Sequence, residues 1–213
     1  MDERGSDAAD RRETRDLDRL VFFSDAVMAI AITLLVIDLR LPDLPPITTE
    51  ADLRAAILEL GPRLFAFFLS FGVIGLWWSS HHRFFGSVVR VDGPLLWLDL
   101  AYLAAIAFLP FPTSILGTTL VPTSVALYAL TNAVIGYLLV GLRTYADRRA
   151  LLDPAVPLDL FRRRTRTAWI GPTVFAVSIP IAYVAPVAAV WSWNLVWIGI
   201  LIARRVFGPV GRH

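Results

Sequence analysis

The sequence predicts an all-α membrane protein with six transmembrane helices per chain, and three observations carry that expectation. Hydrophobic residues make up 56% of the 213-residue chain and charged residues only 18%, with a mean hydropathy of +0.62. A soluble domain sits near half apolar and a quarter charged. The charges are also segregated: 167–203 contains no Asp, Glu, Lys or Arg, and 93–142 contains one, Asp99. A charge-poor apolar run of about 18 residues already reads as a membrane span. Finally, the arginines gather on one side of the expected spans. A soluble enzyme is excluded.

Residues 1–18 are expected to form a charged cytoplasmic tail, with a helix starting near its end. The first nineteen residues mix five Arg with seven Asp/Glu and lack an apolar h-region, so no cleavable signal peptide is expected before the first span. That span runs from about Leu20 to Leu39, ended by Pro42, Pro45 and Pro46, which lack the amide and clash with the preceding turn. Residues 49–60 combine a Thr start, an acidic first turn and helically spaced apolar residues, predicting a short amphipathic interfacial helix. The second span is about 64–80, ending in Trp77 and Trp78 at the depth where tryptophan anchors.

As one helix, 93–142 would reach about 75 Å, far more than a bilayer. Pro110, Pro112, Gly117 and Pro122 divide it into spans at about 95–111 and 123–142. The run 168–203, about 54 Å by the same rise per residue, folds back once, with Ala185-Pro186 as the expected turn. Six spans result.

The arginines set the sidedness. All twenty basic residues are Arg: five in the first nineteen residues, two in the 81–94 loop, seven in 143–166 and three at the C-terminal end. The opposite side has Arg40, Arg54 and Arg63. Seventeen against three places both termini in the cytoplasm of a multi-pass cell-membrane protein, and makes the arginines determinants of orientation, with no nucleic-acid partner implied. Without cysteine there is no disulfide, thiolate nucleophile or cysteine metal site.

The first span, LVFFSDAVMAIAITLLVIDLRL, stands apart because it carries Ser24, Asp25, Thr33 and Asp38. An ionisable residue at membrane depth normally faces protein or water. Neither Gly nor Pro occurs from Leu20 to Leu41, so the helix should be unbroken, with its carbonyls consumed by its own hydrogen bonds. Any selection of ions along it falls to side chains, and no TVGYG-like filter is present.

Arg19-x-x-x-Phe23-Ser24-Asp25, followed by Ala26-Val27-Met28-Ala29-Ile30, resembles the Arg-x3-Phe-Ser-Asp signature of the TMEM175 potassium channels. The resemblance covers about 15–205 and is strongest over 19–42. It implies a six-helix channel domain over 19–205, with 206–213 a cytoplasmic C-terminal tail. It further implies a homotetramer in which four copies of the first helix line a central pore. Ile30, seven residues after the motif Phe, matches the family's narrow hydrophobic position, and Thr33 matches its pore-facing pattern. Leu34 and Ile37 continue the stripe from Ile30 by helical geometry. Arg19, Ser24 and Asp25 match motif positions that brace the first helix. Potassium is the implied permeant ion, with possible proton permeation, no cofactor and no resident metal; the implied partners are other copies of the chain and membrane lipids.

The remaining polar residues carry their own expectations. Asp25 is read as a buried structural partner, with Arg19, His81 and His82 on the same side. Asp38 is either solvated at the membrane edge or part of a cation-attracting vestibule. Adjacent histidines do not share a helix face, so His81 and His82 are read as a partner for Asp25 or a loop pair and not as metal ligands. Asp99 is expected to hydrogen-bond between helices, and Arg162-Arg163-Arg164 to orient the chain and contact lipid phosphate. The competing reading is a proton- or solute-coupled transporter relaying through Asp25, Asp99 and the histidines; the prolines lie where turns are needed, not at matched positions in two halves. A membrane enzyme ranks third, since no Ser/His/Asp order, His-Glu-x-x-His or glycine-rich phosphate loop occurs.

Overall fold

The computed structural model describes residues 3–40, 49–196 and 198–199, with side chains from Arg15 onward. Among the described residues, five helical stretches are long and apolar enough to cross a membrane: Arg15–Asp38, Gly61–Phe85, Gly93–Thr118, Pro122–Arg148 and Leu158–Val184. The chain is an all-helical, multi-pass membrane protein. Pro42, Pro45, Pro46, Arg204, Arg205, Arg212 and the tail 206–213 lie outside the described residues.

Helix α1 spans Glu3–Leu34 and tightens into a 3-10 turn at Leu35–Asp38. It begins far earlier than the position near residue 18 that the charged composition suggested. The amphipathic helix appears as α2 (Glu50–Glu59), where Thr49 and Asp52 form a reciprocal capping box.

Helix α3 spans Gly61–Phe85, five residues beyond the expected end at 80. Trp77 corrects another expectation: it is buried, and its indole donates to Asn132 Oδ1 at 3.1 Å. A tryptophan whose N–H finds a buried acceptor packs inside the bundle and does not anchor at the lipid interface.

Pro110 and Pro112 do not end the third span. Helix α4 (Gly93–Phe108) passes through Leu109 into α5 (Pro110–Thr118). Pro110 opens α5, where a missing N–H would be unpaired in any case. The turn therefore falls at 119–121, before α6 (Pro122–Arg148). Helix α6 is the most buried of the five spans and packs against α4, α5 and α8.

After the cytoplasm-assigned loop, α7 (Leu158–Ala168) runs through Trp169 into α8 (Ile170–Val184). Ala185 breaks the chain before α9 (Pro186–Ser192), where the turn was expected. Trp193 Nε1 donates to Ser178 Oγ at 2.9 Å, tying the returning segment back onto α8. The far end of this sixth expected span lies outside the described residues.

Interhelical polar contacts recur through the bundle. Ser70 bonds Thr113 at 2.8 Å and Tyr128 at 3.1 Å, joining α3, α5 and α6. Such contacts replace the hydrophobic drive that lipid cannot supply between helices. At the head of α4, Asp92 accepts from the Leu95 amide at 2.9 Å and the Tyr145 hydroxyl at 2.7 Å. Burial alone would raise this carboxyl, but those bonds and the nearby Arg149 outweigh it and hold it below its usual 3.8.

Candidate functional site

Helix α1 has two faces. Leu20, Ser24, Met28, Ala31 and Leu35 recur at intervals of three and four and are buried against α3 and α4. On the other side Phe23, Ala26, Ile30, Thr33, Leu34 and Ile37 are uncovered, with Ile30 58% exposed. Thr33 donates its hydroxyl to Ile30 O at 2.9 Å, which leaves the oxygen lone pairs facing outward. Residues three apart eclipse in a 3-10 turn, so beyond Leu34 the stripe tightens and Ile37 stands over Leu34. The helix is continuous, as its lack of Gly and Pro requires, but not uniformly α.

The buried face is fixed by one polar knot. Ser24 Oγ lies 2.8 Å from Leu20 O and 3.1 Å from Asp99 Oδ2, sharing its proton between them. Asp99 Oδ1 meets His81 Nε2 at 2.7 Å. None of the three side chains is more than 1% exposed. The His81 ring stacks on Tyr102, centroids 5.1 Å apart and planes 8° from parallel. Helices α1, α3 and α4 thus meet at a carboxylate satisfied on both oxygens. Enclosed among its own partners, it joins the three helices within one chain.

Asp25 departs from the sequence expectation. It is half-buried, and its partner is the Trp78 indole, which donates at 2.8 Å; neither histidine nor Arg19 reaches it. His82 is exposed and stacks on Trp78 at 5.5 Å. Arg19 is exposed and makes no hydrogen bond or ion pair among the described residues, so its bracing role is not seen within one chain. The two histidines part because neighbours on a helix point about 100° apart. Among the described residues, no group of three or more His, Cys, Asp or Glu could hold a metal ion.

At the far end of α1, a cavity of about 300 Å³ is lined by Asp38, Arg40, Arg63, Thr113, Ser114, Gly117 and Thr118. Arg63 donates to Arg40 O at 3.0 Å, and Arg40 donates to Ile37 O at 3.1 Å, so two arginines hold the helix end in place. Asp38 opens onto this polar mouth and is exposed.

The family model described as "Endosomal/lysosomal potassium channel TMEM175" matches residues 19–110, which begin at the motif arginine and end just past the α1–α3–α4 contact. A potassium channel of Streptomyces collinus is 32% identical over 177 residues, covering 78% of this chain and 82% of that one. The chain belongs to the TMEM175 family. A second relative, a potassium channel of Chamaesiphon minutus, is 38% identical over 109 residues, covering 51% of this chain and 53% of that sequence. The match thus spans about half of that relative's length. The fold is likewise similar to the crystal structure of a lysosomal potassium-selective TMEM175 homolog from Chamaesiphon minutus, with a TM-score of 0.74 and 27% identity over 90% of this chain and 98% of that one.

Within this TMEM175-family chain, sequence reading took Trp78 for an interfacial anchor and missed it as the partner of Asp25, and it missed the link between the motif serine and Asp99. A signal for the second existed: a lone carboxylate in a fifty-residue apolar stretch must find a donor. Which donor lies 75 residues away in the chain, and spacing does not reveal it.

Proposed function

We propose that four copies of this chain form a potassium-favouring cation channel lined by α1, with both termini cytoplasmic. One observation carries the reading: Ala26, Ile30, Thr33 and Ile37 form an uncovered stripe on a helix whose opposite face is locked by the Ser24–Asp99–His81 knot. The names of the relatives and of the structural neighbour support it. The channel unit is 19–205, with 1–18 and 206–213 as the flanking tails.

In this reading four Ile30 side chains form the narrowest ring. Saturated side chains cannot replace the oxygens of a hydration shell, so an ion passes by shedding or squeezing its water. Potassium holds its water less tightly than sodium and meets the lower barrier; selectivity is therefore moderate, and dewetting of the ring closes the pore. Thr33 offers outward lone pairs one turn on, the first oxygen ligands a partly dehydrated cation meets. Asp38 adds negative charge at the mouth. A proton needs no shell removed and crosses whenever a water chain fills the ring. The chain's role is permeation, with no enzymatic step.

Reconstituted into liposomes with a potassium gradient, the purified protein should carry potassium flux that saturates and needs no opposing ion gradient. Slow flux locked to a proton or solute gradient would instead support the transporter reading through Asp25, Asp99, His81 and His82.

A further inference from the structure

The cavity at the far end of α1 is lined by more hydrogen-bond donors than the fold uses. Arginine carries five N–H donors in a rigid fork. Arg40 uses its Nε on Ile37 O at 3.1 Å, and Arg63 uses Nη1 on Arg40 O at 3.0 Å. No further hydrogen bond or ion pair engages either guanidinium among the described residues. Ser114, half-buried on α5, likewise has no partner for its hydroxyl among them. Thr118 differs: its proton goes to Ser114 O at 2.9 Å, so towards the cavity it offers lone pairs.

Asp38 lines the same cavity, yet among the described residues it forms no ion pair with Arg40 or Arg63. Glu59, four residues before Arg63, forms none either, and Glu50 is paired with Arg54 at 3.0 Å. The lining therefore sets two guanidinium groups against one carboxylate. Its walls are fixed. A Cβ on Gly117 would lie 3.1 Å from Arg63 Cα and 3.2 Å from Ala66 Cβ, so α5 presses on α3. The bonds from Arg63 through Arg40 to Ile37 hold the 3-10 turn opposite. The donors thus face a preformed space of about 300 Å³. That is room for a small oxyanion and several of its waters, each of which takes about 30 Å³ in the liquid. Guanidinium forks match the paired oxygens of such an ion, with charge-assisted bonds about twice as strong as neutral ones. A cation would meet two positive charges, and an apolar ligand would strip water from three charged groups.

We infer that Arg40, Arg63 and Ser114 form a binding site for a phosphate-type oxyanion. The two guanidinium groups grip it, Ser114 donates to it, and Thr118 accepts from a proton that the ion retains. Free phosphate and an anionic lipid headgroup share this chemistry. The occupant ties the end of α1 to α3 and α5. Nothing in the site depends on what the open face of α1 lines, so it stands or falls independently of the channel reading.

The test is thermal unfolding of the purified full chain in detergent with added sodium phosphate, sodium chloride at matched ionic strength, or dioleoyl phosphatidylglycerol. Phosphate or phosphatidylglycerol at roughly ten times its half-effect concentration should raise Tm by about 3 °C, and chloride should change it little. A rise with phosphate assigns the free ion; a rise with phosphatidylglycerol alone assigns the headgroup. Arg40→Gln and Arg63→Gln should each lose most of the rise, measured from the variant's own Tm, whereas Arg54→Gln on α2 should keep it. Asp38→Asn removes a like charge from the lining and should lower the half-effect concentration by roughly two- to fivefold. Should Arg63→Gln fail to fold, Arg40→Gln, at an exposed position outside any helix, decides alone. No rise with either ligand, an equal rise with chloride, an undiminished rise in Arg40→Gln, an equal loss in Arg54→Gln, or weaker binding in Asp38→Asn overturns the site.

Discussion

Asp99 and Asp25 differ by how completely each is enclosed. Asp99 has both oxygens bonded inside the bundle, whereas Asp25 is half-buried with a single indole donor. Removing Asp99 leaves His81 buried beside an empty space and Ser24 without its interhelical acceptor, at a cost of about 3–5 kcal/mol. Asp25→Ala loses one neutral-donor bond near the surface, about 1–2 kcal/mol. Thermal unfolding in detergent should show Asp99→Ala as at least twice as damaging; equal losses would contradict this division. From sequence, the motif drew the structural role to Asp25, because neighbours in a motif are visible and contacts between distant helices are not. That Asp99 needed a partner was legible from its isolation in an apolar stretch.

Individual helices divide into those fixed by close backbone approach and those fixed by polar anchors. Gly136 of α6 is of the first kind: a Cβ there would lie 2.7 Å from Pro172 Cβ and 2.8 Å from Trp77 Cη2. Gly136→Ala should push α8 and α3 away and destabilise by about 1–3 kcal/mol. Gly141→Ala, with nothing within 4 Å of its Cβ, should be neutral or gain up to about 1 kcal/mol; the same melts decide, and equal effects would refute the contact. Helix α1 is of the second kind. Because the chain has no cysteine, single cysteines can be placed along it without background. A water-soluble thiol reagent should block flux at Ala26, Ile30, Thr33 and Ile37 and leave Met28, Ala31 and Leu35 unaffected; block at the buried set would reverse the face assignment. The helices themselves were legible as charge-free runs. Their ends were less so: Pro110 reads as a breaker, yet at the first turn of α5 it continues the span, because position within a helix decides what a proline does.

Across the whole molecule, the arginine distribution and the number of apolar runs made the membrane class readable directly. The uncovered side of α1 was legible only through the family motif, since an apolar stripe looks the same whether it faces lipid, protein or a pore. Its place opposite the anchored face now gives the stripe a structural basis, and assembly around it is the central proposal. Replacing Ile30 by Asn puts four amides where four sec-butyl groups stood. These hold water and contact cations, so the dehydration barrier should fall more for sodium than for potassium. Val36→Asn, in the 3-10 turn that continues α1 but off the stripe, is the control. The deciding measurement is the ratio of potassium to sodium current through the reconstituted protein, taken after size-exclusion shows that each variant assembles as the parent does. The account predicts that Ile30→Asn raises total current and lowers that ratio while Val36→Asn changes neither; an assembled Ile30→Asn protein with the parent's conductance and ratio would contradict it.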